Sequence, residues 1–410
     1  MNREKWNTRY KKCIKTQYEH FSSLSSILLA YNINIDLITH ITEKDLTFLE
    51  DTSFFTQLTE CMIAGKAKEV IISDADRQIL ESLHYDEKSI GGQAGIMANL
   101  FSLFPIEEIV LYTPMCREQA QMLSPTDALV VPDAHCRLVD PHTILSDINP
   151  DYHFILEFKK GMKIAGSTVP RDNRFIASCP LSFPENNCTS IFHREYDHAI
   201  ISGFHLLETP HVPDIARNHI QALQYRAHYE CASTRSSLLP PLLDYFTNFD
   251  SLGVNECELN EILTTLGEDP VETVIDMYEG LKIVKKVLHL NRIHLHHLGL
   301  YLTLIDAQKD PEKTRHALLY AALMAAARAQ QGHLSSWEDA QSGLTAPLSP
   351  RGISSLAHLS SYLDSPTVVE SGIHEDEQGY LVSIPARVVD TPVRTVGLGD
   401  TISGLAYVGQ

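Results

Sequence analysis

Positive charge is scarce in this chain. Its 33 lysines and arginines stand against 52 aspartates and glutamates, a formal net charge of −19. Nucleic acids and anionic membranes need dense cationic surface, so neither is expected as a partner; a small cationic pocket for phosphates is still compatible with the balance. Long apolar runs are missing too. The longest, Ala317–Ala327, is alanine-rich, bounded by His316 and Arg328, and too short to span a bilayer, so it is expected to be a buried or amphipathic helix. The segment Met1–Cys13 is charged and lacks the apolar centre of a signal peptide. The eight cysteines, at 13, 61, 116, 136, 179, 188, 231 and 257, include no C-x-x-C pair, which excludes a zinc ribbon and a dithiol redox motif. Unpatterned cysteines in a chain this long are expected to be reduced, in a cytoplasmic protein. Internal repeats and low-complexity tracts are also absent from the sequence.

What is present is a full-sized core. A hydrophobic fraction of 44% over 410 residues suits one large α/β unit with an excursion, or two domains. Apolar runs with strand character fall at Ser26–Asn32, Glu108–Thr113, Ala128–Pro132, His153–Phe158, Ala199–Phe204, Ser251–Asn255, Ile293–Leu298 and Leu381–Ile384. Between them lie helical patterns at Gly95–Leu103, Val212–Cys231, Glu256–Leu266, Val271–Lys286 and Pro311–Gln330. The alternation predicts a mostly parallel, doubly wound sheet flanked by helices. Two stretches break the rhythm, Ile38–Ala67 and Glu157–Pro180, and both are read as parts of a small lid. Ala340–Ser349 is expected to be a loop or linker.

Five constellations carry chemistry. Val396 to Gly404, VGLGDTISG, sets two glycines before a helix start, where backbone N–H groups attract anions. An aspartate at that spot repels phosphate, but it makes sense as the acceptor of a proton from an attacking hydroxyl; the bland alternative is Asp400 as a helix N-cap. In Ser251 to Glu258, Asn255 and Glu258 are placed to face a site above the strand ends, Glu258 reaching Mg²⁺ through water; a capping box explains the same spacing. His228-Tyr229-Glu230 is read at the end of a long helix, its carboxylate either sharing the metal shell or simply solvated. Gly92 and Gln93 open a helix and offer bare backbone with a donor–acceptor amide to a hydroxyl-rich ligand. Asn32, Asn34 and Asp36 alternate onto one face at the end of the first strand, which suits sugar hydroxyls. The histidines at 289, 294, 296 and 297 fit a strand with His294 and His296 on one face better than a zinc site.

Taken together, GGQAGIMANL, PRDNRFI, GVNECEL, RIHLHHLG and TVGLGDTIS, in this order, resemble the ADP-dependent glucokinase and phosphofructokinase family of the ribokinase-like superfamily, from about Ile27 to Gly404. The resemblance implies a ribokinase-like α/β fold with a small β lid contributed by about 37–70 and 155–180. It implies transfer of the β-phosphoryl group of Mg-ADP to a sugar hydroxyl, leaving AMP. Asp400 corresponds to the general base, and Gly397, Leu398 and Gly399 to the anion hole. Arg174 corresponds to a phosphate-contacting arginine, and Glu230 and Glu258 to the Mg²⁺ network. Asn34, Asp36, Gly92 and Gln93 match sugar-binding positions, and Asn255 and His296 face the nucleotide. Glu69 matches a lid position where glucose-using relatives carry glutamate, so glucose is expected to be preferred over fructose 6-phosphate. Use of fructose 6-phosphate, or of both acceptors, is the alternative, and a catalytically silent sensor is a more remote one. The partners expected are small molecules only, and a monomer is compatible with the sequence.

Overall fold

The computed structural model describes residues 3–146, 148–183, 187–209, 211–223 and 227–410. Its centre is an eleven-stranded sheet. Seven neighbouring strands run parallel: Arg292–His297, Ser251–Val254, His228–Glu230, His198–Ser202, Ser26–Ala30, Glu108–Tyr112 and Leu129–Pro132. Antiparallel strands extend both margins, through Leu300–Ile305 and Gly379–Pro385 on one side and Leu138–Val139 on the other. The first strand, SILLA, is buried along its whole length, as a strand covered on both faces must be. All eight runs with strand character lie on strands of the two sheets.

A second sheet of five strands takes Lys68–Ile71, Asn173–Ser178, Tyr152–Phe158, Asn34–His40 and Glu87–Gly91, in that order. It has its own core, in which Phe54 stacks on Phe175. The chain leaves the large sheet after Ala30, crosses to the small one at Asn34, returns through the helix Gln93–Phe101, and crosses again at Tyr152. The segments 37–70 and 155–180 lie within this excursion, which also draws on Glu87–Gly91.

Several expectations need correction. Asn32, Asn34 and Asp36 do not end one strand: the first strand stops at Ala30, and Asn34 and Asp36 open a strand of the other sheet. The pattern Val212–Cys231 is not one helix. Asp214–Ala222 is helical, His228–Glu230 is a central strand of the large sheet, and 224–226 lie outside the described residues. Ala340–Ser349 contains a short helix, Ala340–Gly343. The charged amino-terminal segment is the helix Arg3–Phe21, which buries Trp6, Tyr10, Cys13, Ile14, Gln17 and Phe21, a stripe at three- and four-residue spacing. Two cysteines expected to be reduced, Cys136 and Cys188, form a disulfide with Cα atoms 5.3 Å apart. The fold brings together a loop and a helix start that are 52 residues apart in sequence, which no spacing rule signals. Among the described residues, no helix is long and apolar enough to cross a membrane.

Candidate active site

The carboxyl ends of the parallel strands are where open α/β sheets hold ligands. There, facing the small sheet, a cavity of about 240 Å³ is lined by Asp36, Glu69, Gly92, Gln93, His153, Arg174, His205, Glu230, Glu258 and Asp400. It adjoins a more apolar one of about 480 Å³, and Arg174, Asn255, His296, Thr395 and Gly399 line both. A larger cavity of about 1170 Å³ opens by Ser26, His198, Asp250 and Asn291, at the opposite ends of the strands. None of the chemical constellations reaches it.

The G-x-G-D turn sits at the junction of the two adjoining cavities. Gly397, at φ +73°, is the N-cap of the helix Leu398–Val408, so the free N–H groups of its first turn point into the cavity. Asp400 stands inside the first turn and is therefore not the N-cap. Burial pushes its carboxyl up to about 6, while Arg328 and Arg174 hold it back. Arg174 reaches over from the small sheet and donates to the Thr395 hydroxyl at 3.0 Å.

Two more carboxylates lie beside it. Glu230 is almost fully buried; the Ser403 hydroxyl donates to its Oε2, and His228 Nε2 lies 3.0 Å from the same oxygen. The reading of Glu230 as a solvated helix end is overturned, because a central strand places it under the site. Glu258 forms the capping box, accepting from the Asn255 backbone at 2.8 Å and from the Asn255 amide at 2.7 Å, and it also lines the cavity. The two readings of that segment are therefore compatible. Burial pushes Glu258 up to about 8 and Glu230 well above the carboxylate range, and Asp400 raises both further. Mutually repelling carboxylates of this kind suit a cation held through its water shell. Among the described residues, no group of three or more His, Cys, Asp or Glu is arranged to ligate a metal directly.

On the other side of the cavity, Asp36 is pushed up to about 7 by burial and accepts from Asn34 Nδ2 at 2.6 Å. Asn34 is fully buried behind Asp36 and does not line the cavity; its Oδ1 has no partner. Gly92, at φ +72°, lets the chain pass close to Asn32, whose carbonyl oxygen would lie 2.5 Å from an added Cβ. Gln93 is held in the cavity wall by Asn32 and by the carbonyls of Glu230 and Cys231. Glu69 accepts from the Ser178 hydroxyl at 2.5 Å.

Two residues here escaped the sequence reading. His153 Nδ1 and His205 Nε2 each lie 3.9 Å from Glu69, and burial lowers both rings to about 4, so both are neutral. His153 Nε2 and His205 Nδ1 are buried without partners, which costs free energy unless a ligand supplies a bond. His205 follows a large-sheet strand and Glu69 lies on the small sheet, so their approach spans the cleft. No motif flags an isolated histidine after a strand.

A doubly wound sheet carrying an anion-binding helix start with an aspartate inside it, closed over by a second small sheet, defines the class: a phosphotransferase of the ribokinase-like fold. Residues 22–409 match the family model described as the ADP-specific phosphofructokinase/glucokinase conserved region, and the chain belongs to that family. It is 28% identical to the ADP-specific phosphofructokinase of Methanosarcina acetivorans, over 100% of this chain and 98% of that one. It is 29% identical to the ADP-dependent glucose/glucosamine kinase of Pyrococcus furiosus, over 99% and 98%. Among solved structures it superposes on an ADP-dependent kinase in complex with fructose-6-phosphate and ADPβS with a TM-score of 0.88, at 29% identity over 100% and 98% of the two chains. The last common ancestor of ADP-dependent phosphofructokinases from Methanosarcinales gives 0.83 at the same identity and coverage.

Proposed function

We propose that this protein transfers the β-phosphoryl group of ADP to a hydroxyl of a hexose, glucose first, leaving AMP. The observation that carries the reading is Asp400 in the wall of the smaller cavity, beside the Gly397–Gly399 turn where the two cavities adjoin. The sugar hydroxyl oxygen forms a bond to the β-phosphorus, the bond from that phosphorus to the bridging oxygen breaks, and AMP departs with the electron pair. Asp400 takes the hydroxyl proton, and the N–H groups after Gly397 and the Arg174 guanidinium steady the charge on the transferring group. Asn255 and His296 stand where the nucleotide lies. Asp36, Gly92, Gln93 and Glu69 hold the sugar, with Asn34 setting Asp36 from behind. The small sheet acts as the lid. A cytoplasmic site of action, with no nucleic-acid or membrane partner, belongs to the same reading.

Glu230 and Glu258 fit a hydrated Mg²⁺, which would offset charge on the phosphates when bound. Replacing Glu258 by Gln removes a carboxylate that a bound cation would hold ionised, so the Mg²⁺ concentration for half-maximal rate should rise by about tenfold or more. An unchanged Mg²⁺ requirement would leave Glu258 with its capping role alone.

Glucose is favoured because Glu69 and two neutral imidazoles meet the acceptor with hydrogen-bonding groups and one negative charge. A phosphate brought against that carboxylate in a closed cleft is disfavoured. The rival reading is fructose 6-phosphate, or both acceptors. The solved relative that holds this ligand supports it, as do Lys159, Lys160 and Lys163 on the small sheet side. The measurement is kcat/KM for each acceptor in wild type, Glu69→Ala and His205→Ala. Both substitutions should lower the glucose value by about tenfold or more, each buried partner being worth 1–3 kcal/mol. They should move the ratio toward fructose 6-phosphate. Wild type preferring fructose 6-phosphate, or a ratio that neither change moves, removes this assignment.

A further inference from the structure

The helix Pro311–Gln331 packs along the helix that starts at the G-x-G-D turn, and Arg328 stands in its last turn. The Arg328 side chain runs behind the turn. Its Nη1 donates to the Thr401 hydroxyl at 3.3 Å, and that hydroxyl donates to the Gly397 carbonyl at 2.8 Å. Its Nη2 lies where a Cβ on Gly397 would come within 2.7 Å. The first glycine of the motif therefore makes room for a guanidinium as well as for a ligand. Arg328 has no ion pair to a carboxylate among the described residues, and its Nε is buried without a partner.

A partly buried guanidinium without an ion pair is costly unless charge of the opposite sign lies nearby. The acids whose fields act on Arg328 are Asp400 and Asp36, with Arg394 opposing. Arg328 is also the strongest of the charges that favour the ionised form of Asp400. We propose that Arg328 is a positioning residue for phosphoryl transfer. From behind the turn it fixes the Gly397 backbone through Thr401, and it sets a positive charge beside the base and the anion hole without touching substrate. The inference rests on the proposed kinase reaction but not on which sugar accepts.

The test compares Arg328→Met, Arg328→Gln and Arg328→Lys with wild type in kcat, in KM for ADP and the acceptor, and in thermal unfolding. The neutral variants should lose about tenfold or more in kcat, because a small displacement of aligned groups costs that much, with both KM values within about threefold. Lysine should recover most of the loss, since it keeps the charge. Millimolar methylguanidinium should partly restore Arg328→Gln, an effect that a role in packing alone does not produce. If Met unfolds the protein, Gln and Lys carry the comparison. Equal losses in Gln and Lys, or kcat within twofold of wild type in Gln, overturn the proposal. Absence of any ADP-dependent turnover in wild type defeats the kinase reading itself, a distinguishable outcome.

Discussion

Replacing Asp400 by Asn should lower kcat by about 10²–10⁴ while binding of ADP and sugar stays near normal, because the amide keeps the shape of the carboxylate and cannot take a proton. The same residue contributes an acid limb to the pH profile. An aspartate acts as a base only when ionised, and burial raises the Asp400 carboxyl from its ordinary value to about 6. The wild-type rate should therefore fall as pH drops through about 6, not through about 4, where an exposed aspartate titrates. The residual rate of Asp400→Asn should lack that limb. A variant with near-normal kcat would remove Asp400 from the chemistry.

Gly253→Ala should damage both stability and turnover, although residue 253 touches no substrate. Gly253 pairs with Glu230 across neighbouring strands, and an added Cβ would fall 2.1 Å from Glu230 Oε2 and 2.5 Å from Ser403 Oγ. No rotation of a loose side chain relieves that, since Glu230 is held by Ser403 and His228 and buried on every side. The strand or the carboxylate must shift. Overpacking of this kind costs about 1–3 kcal/mol of stability. Displacing Glu230 should also cut kcat by about tenfold or more, since a small misplacement near the chemistry is expensive. Thermal unfolding and kcat, measured together, check both effects; wild-type kcat would mean that the position of Glu230 does not matter.

The sequence makes some of this architecture legible and hides the rest for identifiable reasons. Strands buried on both faces announce themselves as continuous apolar runs, so the central sheet is readable; SILLA and SLGV are examples. Glycines next to chemically unusual neighbours are readable too, as in GLGD. The strand His228–Glu230 is hidden because three residues are too few to show a period, and the helical pattern of Asp214–Ala222 runs on toward it. Alternation of Asn32, Asn34 and Asp36 cannot reveal that the chain changes sheets between them, because the period is the same on either side of the crossing. His153, His205 and Arg328 carry no local signature at all. Each gains its meaning from a partner distant in sequence: Glu69 for the histidines, Gly397 for the arginine.

ADP, not ATP, should supply the phosphoryl group to a sugar in this cleft. The most direct measurement incubates the purified protein with Mg-ADP or Mg-ATP and either glucose or fructose 6-phosphate, following nucleotides and sugar phosphates together. One AMP should appear for each new sugar phosphate bond, none should appear without an acceptor, and the rate should be faster with ADP than with ATP. No AMP with either acceptor, or a faster rate with ATP, would rule out ADP as the donor.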